Sequence, residues 1–235
     1  MKELLQKFEN ELFAENFECS HCSSERLKND HHYLCDDCYE NIDWISFDCK
    51  KCGDKVNEYT LYCDNCKQTE HKFDRVFCSC KFQGVAKSMV YSLKYGEAKY
   101  IARTMAEFMA EMFLQRCNEK IDFIIPVPLS KQRMKSRGYN QAELLAKHLS
   151  DILNIPMNCC IARTKDTPTQ THLTREDRKE NLLDAFDCIN KENLKDKNVL
   201  LVDDVFTTGA TMNEITKVLK RCKVKCVYGI TFCHA

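Results

Sequence analysis

The chain has 235 residues, 44% of them hydrophobic and 30% charged, with 35 Lys/Arg balanced by 35 Asp/Glu. That length holds one large domain or a core domain with a small appendage, and the composition excludes a wholly disordered chain. No run approaches the roughly 18 apolar residues of a membrane helix, and the opening MKELLQKFENELF has no apolar signal-peptide core, so no membrane insertion and a cytoplasmic location are expected.

The neutral total conceals an asymmetry. Residues 1–72 hold 9 Lys/Arg against 16 Asp/Glu, net −7, whereas residues 73–235 hold 26 against 19, net +7. The carboxy-terminal part is therefore the one suited to phosphates, and the amino-terminal part is a poor electrostatic match for DNA.

Leu4, Leu5, Phe8, Leu12 and Phe13 recur at helical spacing and predict a short amphipathic helix. A cysteine-rich segment follows and ends near Lys72, which sets two expected domains, 1–72 and 73–235. Eight of the 17 cysteines form four CxxC turns: Cys19/Cys22, Cys35/Cys38, Cys49/Cys52 and Cys63/Cys66. A CxxC turn presents two thiolates to a tetrahedral ion, and two turns complete a closed site with no open position for chemistry. Two structural Zn2+ ions are expected. Consecutive pairing gives two tandem ribbons and alternating pairing gives a cross-brace; consecutive pairing closes the smaller loops. The other nine cysteines fall mostly in apolar patterns and read as small buried hydrophobes.

From residue 73 onward, strand and helix patterns alternate. RVFCSCKFQG reads as a strand ending at Gly84, helices are expected over 85–94 and 98–117, and DFIIPVP is a buried strand. A helix over 142–153, a strand over 159–162, a helix over 174–183 and a last strand over 225–233 complete the pattern. The expected fold is α/β, a mostly parallel sheet with helices on both faces, preceded by a small zinc-ribbon module.

Three segments carry the chemistry. In NVLLVDDVFTTGAT the apolar run VLLV fills a central strand, and Asp203 and Asp204 follow it. Thr207, Thr208, Gly209, Ala210 and Thr211 then turn the chain into a helix whose free N–H groups suit an anion. A sugar phosphate satisfies both halves, with its diol on the aspartates and its phosphate on the turn. In PVPLSKQRMKSRGYNQ, Lys131, Arg133 and Arg137 form a basic loop suited to phosphate oxygens. The third segment, 162–182, is polar with no core-forming pattern; Arg163, Gln170, Arg175 and Arg178 mark it as a mobile cover over a ligand.

The acidic pair followed by TTGAT resembles the 5-phosphoribosyl-1-pyrophosphate (PRPP) signature of type I phosphoribosyltransferases. With the four CxxC turns, FDRV at Phe73, LKYG at Leu93, PVPLxxxRxxxRGxNQ at Pro126, Arg163 with TPTQ, and LTRxxRxxNL at Leu173, nearly the whole chain resembles the ComF family of competence-associated proteins. The resemblance implies a double zinc ribbon before a type I phosphoribosyltransferase-like domain, and a role in bringing transforming DNA into the cytosol. It also implies PRPP with Mg2+ as ligand, ribose on Asp203 and Asp204, and pyrophosphate on Lys131, Arg133 and Arg137.

Three functions fit. One is a PRPP-binding competence protein that handles incoming single-stranded DNA, with Tyr91, Tyr95, Tyr100 and Tyr139 as candidate stacking groups near basic residues. The second is an active phosphoribosyltransferase acting on a nitrogen acceptor, for which the sequence names no acceptor pocket or catalytic residue. The third is an adaptor whose zinc ribbons dock a DNA-translocating competence helicase or other DNA-processing proteins.

Overall fold

The alternating patterns resolve into a parallel sheet clothed on both sides by helices. The computed structural model describes residues 18–19, 21–24, 34–96, 98–165 and 185–235. The helices expected over 4–13 and 174–183, and with them Gln170, Arg175 and Arg178, lie outside the described residues. In chain order the elements are α1 (Asp36–Glu40), α2 (Asp64–Gln68), β1 (Arg75–Lys81), α3 (Gly84–Tyr95), α4 (Ile101–Arg116), β2 (Phe123–Pro126) and α5 (Lys131–Arg137). They continue with α6 (Gln141–Leu153), β3 (Ile161–Arg163), β4 (Phe186–Cys188), β5 (Asn198–Phe206), α7 (Ala210–Arg221) and β6 (Cys226–His234).

The central sheet has the order β1-β6-β5-β2, and every pair is parallel. Its inner strand β5 reads VLLV because both faces are covered, as a parallel sheet requires. Leu200 and Val202 join one core with Met89, Met105 and Leu145 of α3, α4 and α6. Val199 and Leu201 join the other with Ile215 and Leu219 of α7 and Phe186 of β4. The strand also runs on past the apolar residues, so the two aspartates lie within it rather than after it.

Both edges of the sheet are covered, which removes the unpaired ladders that invite association. Along β1, the Ile45 N–H donates to Ser79 O at 3.0 Å and the Lys81 N–H donates to Asp43 O at 2.9 Å. Along β2, the Ile124 N–H donates to Pro156 O at 3.0 Å and the Asn158 N–H to Ile124 O at 2.8 Å.

Two details depart from the periodicity. The strand expected over 159–162 forms as Ile161–Arg163, and its antiparallel partner β4 is a strand that the pattern did not single out. Three residues are too few to carry a period of two. The basic loop contains a helix, α5, between the Ser130 hydroxyl, which accepts from the Arg133 N–H at 3.3 Å, and Gly138 in the left-handed region (φ 78°). Among the described residues no helix is long and apolar enough to cross a membrane.

Candidate functional site

At the carboxyl end of β5 the chain turns sharply into α7. Gly209, the residue before the helix, has φ 75°, a conformation that a side chain disfavours. A Cβ there would also lie 2.8 Å from Phe206 Cζ and 3.3 Å from the His71 ring. His71 comes from the end of the cysteine-rich segment, stacks on Phe73 at 4.8 Å and approaches Asn213 Nδ2 at 3.2 Å through Nδ1. The Lys72 N–H donates to Asn213 Oδ1 at 2.8 Å, so residues 71–73 buttress the turn from below.

The aspartates have different surroundings. The Asp203 carboxylate accepts the Asp204 N–H at 2.9 Å. Burial, reinforced by the neighbouring Asp204 carboxylate, raises the Asp203 carboxyl well above the ordinary carboxylate range. Asp204 is buried, and Lys94 Nζ of α3 lies 2.5 Å from its Oδ2, an ion pair rather than an aligned hydrogen bond. Nothing in the residue pattern marks Lys94 as that partner, although it belongs to the LKYG segment.

A cleft of about 500 Å³ opens over these groups. Asp203, Asp204, Thr207 and Thr211 line it together with Lys94, Arg133, Arg137 and Arg163. Gln141 also lines it and accepts a hydrogen bond from Arg137, whose guanidinium lies 5.2 Å from the centre of the Tyr95 ring. Arg163 donates from Nε to Lys165 O at 3.3 Å and sits 5.6 Å from the centre of the Phe186 ring. One cleft therefore gathers carboxylates and hydroxyls together with an ammonium and three guanidinium groups.

Not every expected residue reaches it. Gly209 and Ala210 line a smaller hollow under the turn, together with Thr207 and Thr211. The Thr208 hydroxyl accepts from the Ala210 N–H at 3.4 Å and faces neither space. Lys131, at the start of α5, is exposed and is not among the lining residues.

The thiols gather as consecutive turns. Cys19, Cys22, Cys35 and Cys38 form one group and Cys49, Cys52, Cys63 and Cys66 the other, with all sulfurs of a group within 4.8 Å of one another. Four thiolates at about 2.3 Å from one ion stand roughly 3.8 Å apart. Cys22 and Cys35 sulfurs are separated by 3.7 Å, and Cys52 and Cys63 sulfurs by 3.6 Å, which fits such an ion. Hydrogen bonding to Cys52 holds the Cys49 thiol down to about 4, while burial pushes Cys66 up to about 12. Four thiolates cannot share so small a space without a cation, and a divalent ion resolves that conflict. Of the remaining cysteines, Cys78, Cys80, Cys160, Cys188 and Cys233 are buried, Cys117, Cys222 and Cys226 are partly buried, and Cys159 is exposed.

Residues 94–235 match the phosphoribosyl transferase domain family. The chain is 36% identical over 216 residues to competence protein F of Haemophilus influenzae, covering 89% of this chain and 93% of that protein. It is 31% identical over 178 residues to the DNA utilization protein YhgH of Salmonella typhi, covering 74% of this chain and 78% of that one. Among solved structures, glutamine PRPP amidotransferase of B. subtilis complexed with ADP and GMP is 14% identical with a TM-score of 0.40, covering 60% of this chain and 30% of that one.

Proposed function

The chain belongs to the ComF family of competence-associated proteins and carries a phosphoribosyl transferase domain, and we propose that its cleft binds PRPP with Mg2+ while its basic half handles single-stranded DNA during transformation. In this reading residues 1–72 are held by two structural zinc ions, and residues 73–235 carry the ligands on the cytosolic side.

The observation that carries the reading is that carboxylates, hydroxyls and guanidinium groups line one cleft. A ligand of uniform charge would be repelled by part of that lining. PRPP carries a neutral diol between two phosphorylated ends, so its ribose hydroxyls donate to Asp203 and Asp204. The hydroxyls of Thr207 and Thr211, with the N–H groups that open α7, meet the 5-phosphate. Arg133 and Arg137 meet the pyrophosphate, and Arg163, at the end of β3, closes the wall. Lys94 neutralises one carboxylate, which lowers the electrostatic cost of bringing a polyanion near the acidic pair. Mg2+ bound with PRPP would supply further neutralisation of the pyrophosphate.

The DNA half of the reading is supported by the +7 charge of residues 73–235 and by relatives named for competence and DNA utilization. Calorimetric titration with PRPP and Mg2+ tests the ligand, and pyrophosphate release with candidate nitrogen acceptors tests turnover. Saturable PRPP binding is expected. Its absence would reject the ligand, and release of pyrophosphate would make the protein a transferase. Single-strand binding that weakens steeply with salt supports DNA handling, because phosphate neutralisation releases counterions.

A further inference from the structure

The outward face of α3 is unusual in what it exposes. Its inner face buries Val85, Ala86, Met89, Val90 and Leu93 in the core. The outer face presents Lys87, Tyr91 and Tyr95 every fourth residue, and therefore in one line. Tyr91 is 48% and Tyr95 69% exposed, so neither ring is needed to fill the interior.

These side chains form a continuous ladder. Phe82, just ahead of the helix, stacks with Tyr91 at a centroid distance of 6.2 Å and 29° between planes. Tyr91 in turn meets Tyr95 at 5.9 Å. Cations alternate with the rings: Lys87 Nζ lies 6.0 Å from the Phe82 ring centre and 5.9 Å from that of Tyr91, and the Arg137 guanidinium covers Tyr95. Helix α3 contains two lysines and no acidic residue. Among the described residues no carboxylate forms an ion pair with Lys87, and the carboxylate that reaches this end of the helix, Asp43 through Gln83 Nε2 at 2.7 Å, is already paired with Lys55. The ladder also has a direction, since Phe82, Tyr95 and Arg137 line the cleft as well.

From this geometry we infer that the outer face of α3 is a single-stranded DNA track, on which bases stack against Phe82, Tyr91 and Tyr95 while Lys87 and Arg137 follow the phosphates toward the cleft. The inference rests on the reading that the protein handles single strands, and it names the surface that does so. Two exposed rings, Tyr91 and Tyr95, and the half-buried Phe82, with interleaved cations, fit a single strand because every base has a stacking face and every nucleotide a phosphate. A folded duplex hides the base faces that the rings require.

The test uses the full zinc-loaded chain and a fluorescent oligo(dT) of about 20 nucleotides at low salt, read by anisotropy. Tyr91 does not line the cleft, so Tyr91→Ala should weaken oligo(dT) binding about tenfold and leave PRPP binding by calorimetry unchanged. Tyr91→Phe, which keeps the ring, should bind within about twofold of wild type. Lys87→Ala should weaken binding and reduce the slope of log affinity against log salt by about one. An abasic strand of the same length should bind wild type at least as weakly as oligo(dT) binds Tyr91→Ala, because it loses stacking on all three rings. If wild type binds oligo(dT) and both Tyr91→Ala and Lys87→Ala bind it equally well, the track lies elsewhere and the DNA reading survives. No binding by wild type at low salt overturns both. Should Tyr91→Ala fail to fold, the exposed Lys87→Ala decides alone.

Discussion

Asp203 and Asp204 are adjacent, yet they answer to different forces. The folded-state pKa of Asp203 is raised above its unfolded value by burial and by Asp204, so its ionisation opposes folding. The stability it contributes is fully present below the unfolded value and is lost as pH rises through the raised folded value. Asp203→Asn should therefore raise the melting temperature at pH 7, and the gain should shrink toward pH 4. Asp204→Asn leaves Lys94 beside the site without its counter-charge and should destabilise by about 1.5–3 kcal/mol. Asp204→Asn should weaken PRPP binding by about 1.5–3 kcal/mol through loss of a charge-assisted hydrogen bond, and Asp203→Asn by less, because its carboxyl is the harder of the two to ionise. Thermal melts at the two pH values, with calorimetry on the same samples, separate the stability effect from the binding effect. The acidic pair was legible because it interrupts an apolar strand. Its partner was not, because Lys94 lies on helix α3 about 110 residues earlier, and no local pattern encodes that meeting.

At the scale of elements, the strand-turn-helix unit of β5 and α7 is the one on which the cleft is built. Gly209 holds it because a side chain there costs about 1–2 kcal/mol in the left-handed region, before its contact with Phe206 is counted. Gly209→Ala should lower the melting temperature and also weaken PRPP binding, since the N–H groups of the turn would move with the backbone. Unchanged binding in a destabilised variant would mean that the turn does not hold the phosphate. Long elements were readable from periodicity: the helix expected over 142–153 forms over Gln141–Leu153, and the last strand over Cys226–His234. The short ones were not. Strand β4 is defined by Phe186 and Cys188 packing against α7, and α5 by its Ser130 cap and Gly138 stop, signals that a run of basic residues obscures. The helix expected over 174–183 and the cover residues Gln170, Arg175 and Arg178 fall outside the described residues.

At the scale of the whole molecule, the two cysteine clusters connect differently to the body. The second lies against β1: the Val76 N–H donates to Lys51 O at 2.8 Å, and Cys49 and Cys52 belong to the same core as Val76 and Phe206. Asp48, beside it, pairs with Arg75 at 2.8 Å; burial would raise its carboxyl, but hydrogen bonds from Arg75 and Lys50 prevail and hold it below the ordinary value. In the first cluster Cys19 and Cys38 are buried in the other core, with Phe77 and Cys80 of β1, while Cys22 is exposed. Metal analysis of chelator-free protein should return about two zinc equivalents. Cys49→Ser should destabilise the cleft and reduce PRPP binding more than Cys22→Ser, as followed by zinc content, melting temperature and calorimetry. Equal effects would mean that the two clusters support the cleft alike. The CxxC spacing was enough to read the clusters, but their seating was not legible, because His71 beneath Gly209 depends on tertiary packing that no spacing records.

The proposed function turns on one cleft whose carboxylates would take a diol and whose hydroxyls and guanidinium groups would take phosphates. The most direct measurement is calorimetric titration of PRPP with Mg2+ into the zinc-loaded protein and into its Asp203→Asn/Asp204→Asn double variant, with pyrophosphate alone as a second titrant. The double variant should lose most of the affinity for PRPP, by at least the roughly 1.5–3 kcal/mol of one charge-assisted hydrogen bond, while pyrophosphate binding, for which no contact to the aspartates is proposed, is retained. A double variant that folds and binds PRPP as tightly as wild type would contradict it.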